Sequence, residues 1–207
     1  MSLSFAEFVT IFIALFAIID PFGGIPVFLT VTRGEKSPGK IAFKSCISAF
    51  VVLLVFLLAG RLILNFFGIS IPAFQVGGGI IIFLTGLPML FAYPLSIKAL
   101  GSEFDKGAEG DDVSLVPLAV PMLAGPGAIT TVMVLTDRYQ SMTGKLAILA
   151  SILLVLAFTS ILFWQAQRLF KLVGQTGLNF VTRIMGLVLI VLAVQYILSG
   201  IKEFFHL

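Results

Sequence analysis

Two short segments rich in glycine and proline interrupt otherwise apolar stretches of this sequence, and the first of them carries a carboxylate. The segments are Asp20-Pro21-Phe22-Gly23-Gly24-Ile25-Pro26 and Gly125-Pro126-Gly127, the latter preceded by Pro117 and Pro121. Proline has no backbone N–H and breaks a helix, whereas glycine tolerates irregular backbone. Lipid cannot satisfy the N–H and C=O groups that such breaks release, so we expect both breaks to be buried in protein or to line a wet cavity.

Paired helix breaks offer a specific binding chemistry. Unpaired N–H groups at the start of a half-helix suit a carboxylate, and unpaired C=O groups at the end of one suit an ammonium or a cation. Two facing breaks would provide both polarities, which fits a small zwitterionic substrate such as an amino acid. We predict that substrate binds between residues 20–26 and 125–131. The candidate binding residues are Asp20, Pro21, Gly23, Gly24, Gly125, Pro126, Gly127, Thr130 and Thr131.

The roles of the polar candidates have alternatives. Asp20 is the only acid well inside a predicted span, and an ionisable group at that depth is costly, which favours a functional role. It could hold a substrate ammonium, bind Na⁺ or take up a proton, or it could cap the half-helix that begins near Pro21. Capping and ligand contact can coexist. Thr130 and Thr131 could bind a ligand or bond back to their own helix. The four glycines of the breaks would let a ligand approach the backbone.

Composition places the chain among membrane proteins. Of its 207 residues, 59% are hydrophobic and 11% are charged, against about 25% charged in a typical soluble domain. The net charge of +3 is dispersed, so no nucleic-acid partner is expected. Cys46 is the only cysteine, which excludes an intrachain disulfide, and we expect it to be a small residue within a span.

The sequence gives little support for an enzymatic function. The only histidine, His206, lies beside the C-terminus, which argues against a His-based metal site or catalytic triad. Asp20 alone could serve chemistry at depth, so we predict no catalytic residue, no metal and no cofactor. Because the nucleotide-binding Gly-x-x-x-x-Gly-Lys-Ser/Thr motif is also missing, ATP hydrolysis is not expected. Coupling to H⁺ or Na⁺ and assembly into a homo-oligomer are left open by the sequence.

Hydropathy predicts an all-α membrane protein with six transmembrane helices in a single domain over residues 1–207. The predicted spans cover about 5–32, 42–67, 71–97, 113–136, 146–167 and 184–202. The first and fourth are the broken ones, and neither piece of the first span alone crosses a hydrocarbon core of about 30 Å. The N-terminus has no basic segment or small-x-small cleavage site, so we expect a retained first span. A charged loop at 98–112 separates the halves.

The two halves, 1–97 and 113–207, form an internal repeat. A shift of 105 positions aligns Pro21 with Pro126, and a further slip of two aligns Gly79 with Gly186. Three spans per half mean that the second half enters the membrane from the opposite side, which predicts an inverted repeat with the broken helices face to face at mid-depth. Glycines at 77–79 and 86 predict close helix packing of the third span.

Charge sets the expected orientation. The loops after the first, third and fifth spans hold nine Lys or Arg, and the opposite side holds four. The positive-inside rule then places the first group of loops in the cytoplasm of a prokaryote and both termini on the opposite side of its cytoplasmic membrane. The lipid bilayer is the only partner larger than a substrate that the sequence predicts, apart from a second copy of the chain.

At its two breaks the sequence resembles the MarC family of bacterial and archaeal inner-membrane proteins, along essentially its whole length. The resemblance is carried by residues 20–28 and by the long stretch 117–129. The family commonly has Asn or Asp at the position of Asp20 and often Asn at the position of Gly24. Archaeal relatives resemble transporters of small neutral amino acids, so the resemblance implies secondary transport of glycine or alanine. The alternatives are an exporter of drugs or other metabolites on the same fold, and a non-transporting membrane scaffold.

Overall fold

The computed structural model describes residues 3–91 and 122–205, and this part of the chain is helical and contains no strand. Its helices are α1 (Phe5–Ile19), α2 (Gly24–Val31), α3 (Pro38–Phe66), α4 (Ile71–Leu90), α5 (Pro126–Arg138), α6 (Met142–Trp164) and α7 (Ala166–Phe204). The predicted charged loop at 98–112, the end of the predicted third span (92–97), the beginning of the predicted fourth span (113–121) and His206 lie outside the described residues.

Serine caps begin three of these helices. The N–H of Glu7 donates to Ser4 Oγ at 3.2 Å, and the Ser4 N–H donates to Glu7 Oε2 at 2.8 Å, which is a reciprocal capping box. Ser70 Oγ accepts from the Ala73 N–H at 3.4 Å, and Ser141 Oγ accepts from the Gly144 N–H at 3.1 Å. These side chains satisfy N–H groups that have no partner within the helix.

Helix length and apolar character confirm the all-helical membrane class. The helices α3, α4, α6 and α7 are each long and apolar enough to cross a membrane. A fifth span is formed if α1 and α2, which bend by 45° across their break, count as one. With 13 residues, α5 is shorter than the about 20 residues that a complete span requires. The count of six spans therefore stays a prediction.

The last helix is longer than the sequence predicted. Its helical residues begin at Ala166 instead of near residue 184, and they form two helical segments on either side of a kink at Gly174, whose φ of 67° is not helical. Arg183, predicted to lie in a loop, is inside this helix. Hydropathy detects the part of a helix that is apolar enough for lipid, and the polar turns before it remain helical without that signal.

Close approach of backbones joins the helices α4 and α7. A Cβ atom at Gly186 would lie 2.6 Å from the Leu90 N atom and 2.9 Å from the Gly86 carbonyl oxygen. A Cβ atom at Gly79 would lie 3.0 Å from the Ala193 carbonyl oxygen. The predicted small-residue packing is confirmed at Gly79 and Gly86, whereas Gly77 faces open space.

The α3 helix packs against α6 and also against the end of α5. Gly39 near the start of α3 faces Trp164 at the end of α6, so these two helices run antiparallel. Near the opposite end of α3, Arg61 forms an ion pair with Asp137 of α5. The sequence predicted only that Arg61 would extend toward the interface, because its partner lies on a distant part of the chain. Cys46 is buried in α3, as predicted.

We predict that Gly186→Ala destabilises the protein by about 1–3 kcal/mol, because the new methyl group has to displace backbone atoms of α4. Thermal unfolding of the detergent-solubilised protein measures this loss. Gly77→Ala is the matched control, since a Cβ atom there meets nothing within 4 Å. Equal melting temperatures for the two variants would contradict the close packing of α4 on α7.

Candidate functional site

The first break begins where Asp20 ends α1. Asp20 adopts the left-handed conformation (φ 48°, ψ 67°), and its N–H donates to the Phe16 carbonyl at 3.1 Å. Aspartate is one of the few residues other than glycine that tolerate this conformation. Pro21 has no N–H to offer the carbonyl of Ala17, so the helical bonding pattern stops here.

The Asp20 carboxylate links the end of α1 to the start of α2. Its Oδ1 atom accepts a hydrogen bond from the Gly23 N–H at 3.1 Å. The Gly24 N–H donates to the Asp20 carbonyl at 3.2 Å, which closes the turn. Asp20 therefore accepts from the turn that precedes α2, whereas α2 itself has Gly23 at its N-cap position and no side-chain cap. Asp20 is 8% exposed, so this carboxylate is largely withdrawn from solvent.

The second break presents the start of a helix. Gly125 is extended (φ −70°, ψ 172°), Pro126 is the first residue of α5, and no side chain of the described residues caps this end. The Ile129 N–H donates to the Gly125 carbonyl at 3.0 Å. The N–H groups of Gly127 and Ala128 are thus the first donors of α5, at the positive end of its dipole.

Side-chain contacts bring the two breaks together. A Cβ atom at Gly127 would lie 3.7 Å from Ile18 Cγ2, two residues before Asp20. The methyl group of Met122, which precedes the second break, contacts the Cβ position of Gly24 in the first. The chain therefore places its two irregular segments side by side.

Two further helices surround the breaks, and sequence reasoning did not assign their residues to the site. From α4, Met89 and Ile82 contact the two breaks. A Cβ atom at Gly23 would lie 2.8 Å from Met89 Cε, and one at Gly127 would lie 2.9 Å from Ile82 Cγ1. From α7, the partly buried Tyr196 packs against the apolar cluster that contains Ile82 and Met89. The glycines of the third span could have indicated that α4 lies at the site, because Gly78 packs directly against Thr130.

The two threonines are wholly buried beside the second break. Thr130 is 1% exposed and Thr131 is 0% exposed. Thr131 Oγ1 donates to the Gly127 carbonyl at 2.9 Å, so the predicted bond back to its own helix is present. Ligand contact by either threonine stays a prediction.

Side chains of the protein occupy the space over the glycines of the breaks. Asp20 and Met89 lie over Gly23, while Met122 and Phe163 lie over Gly24. Because Gly23 and Gly24 have no side chain, the surrounding side chains can approach their backbone closely. In this conformation a ligand would reach the same backbone only after some of these side chains move.

Two cavities open elsewhere, at the helix ends on one face of the protein. One of about 500 Å³ is lined by residues that include Glu7 and Arg138. The other, of about 440 Å³, lies beside the Arg61–Asp137 ion pair. Neither is lined by a residue of the two breaks, so neither is the predicted binding site.

Comparison with known sequences covers almost the whole chain. A sequence model described as MarC family integral membrane protein matches residues 5–205. The UPF0056 membrane protein of Aquifex aeolicus is 37% identical over 95% of this chain and 92% of that protein. A UPF0056 membrane protein of Methanocaldococcus jannaschii is 39% identical over 94% of this chain and 96% of that protein. YvbG of Bacillus subtilis is 38% identical over 97% of both chains.

These relatives support an integral membrane location, and their bacterial and archaeal sources fit a cytoplasmic membrane. Their names describe membrane proteins and specify no cargo. No solved structure matches the chain at a significant level.

We predict that Asp20→Ala lowers the free energy of unfolding by about 1–2 kcal/mol, because it removes a cap and leaves alanine in a left-handed conformation. Asp20→Asn keeps an acceptor for the Gly23 N–H and tolerates the same backbone, so its stability should stay within about 0.5 kcal/mol of wild type. Thermal unfolding in detergent compares the two variants. Equal losses would show that the hydrogen bond to Gly23 does not hold the break.

Proposed function

Because the chain belongs to the MarC family of integral membrane proteins, we propose that it is a secondary transporter of small neutral amino acids such as glycine and alanine. One observation carries this proposal: the break at Asp20 and the uncapped start of α5 lie side by side. Irregular backbone at membrane depth is tolerated only in protein or beside a wet cavity, and paired breaks are a common site of cargo binding in transporters.

The two breaks differ in polarity, and this difference suits a zwitterion. The first presents the Asp20 carboxylate and the carbonyl groups at the end of α1, which attract an ammonium group. The second presents the N–H groups of Gly127 and Ala128, which attract a carboxylate. An α-amino acid carries its two charges on one carbon and on its neighbour, so it would contact both breaks at once. The carboxylate of Asp20 is also the candidate ligand for a coupling H⁺ or Na⁺.

The contacts between α4 and α7 support an inverted repeat. With the offset of 107 that aligns Gly79 with Gly186, residue 86 corresponds to residue 193. Gly79 packs against the Ala193 carbonyl, and Gly186 packs against the Gly86 carbonyl, so each contact is the repeat image of the other. Such a relation is expected when two halves are related by a two-fold axis in the membrane plane. Rocking of one half against the other would then expose the site alternately to the two sides.

The remaining properties follow from this proposal. We assign no catalytic role to any residue and place both termini outside the cytoplasmic membrane. The predicted fourth span begins in residues outside the described part of the chain, so the count of six spans is part of this proposal. An exporter of drugs on the same fold is the rival function, and transport measurements distinguish it because its cargo would be larger and would not compete with glycine.

We predict that purified protein in proteoliposomes takes up glycine and alanine saturably. Asp20→Asn should lower initial uptake by about 10–100-fold, since a hydrogen bond to a charged group contributes about 1.5–3 kcal/mol. Asp137→Asn is the matched control, because it neutralises an acid in the ion pair at the helix ends.

Three results would change these assignments. Normal uptake by a well-folded Asp20→Asn variant would restrict Asp20 to its capping role. Wild-type protein that transports a drug-sized compound, and neither glycine nor alanine, would identify the exporter instead. Absence of any saturable transport would favour the non-transporting scaffold.

A further inference from the structure

Large apolar side chains from both halves of the chain form a wall beside the first break. A Cβ atom at Gly23 would lie 2.8 Å from Met89 Cε on α4, and one at Gly24 would lie 2.7 Å from Phe163 Cζ on α6. Met122, just before α5, contacts the Gly24 position from another direction. The wall therefore has three members, and each comes from a different segment.

The side chains of this wall differ in how readily they can change rotamer. Phe163 is 1% exposed, and its ring stacks on Phe28 with 4.7 Å between centroids and 21° between planes. A ring held in this way cannot turn without displacing its partner, because protein interiors are close-packed. Methionine is unbranched and changes rotamer readily. Phe163 is thus the fixed part of the wall, while Met89 and Met122 are the parts that can move aside.

The wall stands directly beside the charged group of the break. The Asp20 carboxylate and the Met89 methyl group both contact the Cβ position of Gly23. An ammonium group held by Asp20 would therefore lie beside Met89 and one residue away from Gly24, the position that Met122 and Phe163 border. Movement of the methionines would make room for a small group, and the Phe163 ring would still limit its size.

We propose that Phe163, together with Met89 and Met122, sets the upper size of the cargo, so that a hydrogen or methyl side chain is accepted and a branched one is excluded. This inference rests on the proposed transport of amino acids and assigns its size selectivity to particular side chains. In a packed apolar pocket one additional methylene group changes discrimination by about 10–200-fold.

The test compares uptake of valine with uptake of alanine in proteoliposomes. Phe163→Leu should raise the valine-to-alanine ratio of initial rates by about 10-fold, because a smaller side chain then borders Gly24. Met122→Ala is the second variant, should Phe163→Leu fail to fold, and it should raise the same ratio. Phe12→Leu is the matched control, since Phe12 stacks on Phe16 in α1 at 5.9 Å and should leave the ratio unchanged.

The outcomes separate this inference from the proposed function. If wild type transports glycine and alanine and both variants keep its valine-to-alanine ratio, the size limit lies elsewhere and the transporter assignment stands. If wild type transports neither glycine nor alanine, both proposals fail.

A suppressor experiment tests the contact itself. Gly24→Ala should lower alanine uptake, because its methyl group requires the Phe163 ring to shift. Adding Phe163→Leu should restore uptake at least in part, whereas adding Phe12→Leu should not. Equal uptake by the Gly24→Ala single variant and its Phe163→Leu double variant would overturn the role of Phe163.

Discussion

The requirement that every backbone polar group be satisfied within the protein governs this fold. A span can be interrupted at depth only if something replaces the lost helical hydrogen bonds, because lipid offers no donor or acceptor. Asp20 supplies part of that replacement. Its backbone ends α1 in a conformation that few residues tolerate, and its carboxylate accepts the Gly23 N–H. One residue thus stabilises the break and places a charged group within it. A merely structural break would need no ionisable side chain, since asparagine or glycine could occupy the same left-handed position.

Packing supports the break from the outside. The α4 helix approaches α7 at Gly79 and Gly86, and the same helix presents Met89 to Gly23 and Ile82 to Gly127. Small residues on one face of α4 therefore fix its position against α7, while larger residues contact the two breaks. Without a hydrophobic driving force between helices in lipid, such close backbone contact is a main source of association. The geometry near Asp20 consequently depends on glycines of α4 that contact α7 and not the break itself.

The sequence predicted the features that depend on local chemistry. Pro21 and Gly125 marked both breaks, and the glycines of the third span marked a close helix contact, because proline and glycine act on their own backbone. The sequence alone did not predict contacts between residues that are far apart in the chain. Nothing local indicates that Asp137 would pair with Arg61, or that Phe163 would face Gly24. The start of α7 was missed for another reason: its first turns are polar, and hydropathy reports lipid exposure more directly than helix formation.

The asymmetry between the halves has a consequence for binding. The repeat aligns Asp20 with Gly125, so only one of two equivalent backbone positions carries a carboxylate. If both breaks carried an acid, the pair would repel each other at short range and would attract only cations. If neither did, only the carbonyl groups at the end of α1 would remain to attract a cation beside the two helix starts. A single acid gives one electronegative break beside one electropositive break. Under the proposed inverted repeat, this one altered position would give the site a direction, so that a zwitterion would bind in only one orientation.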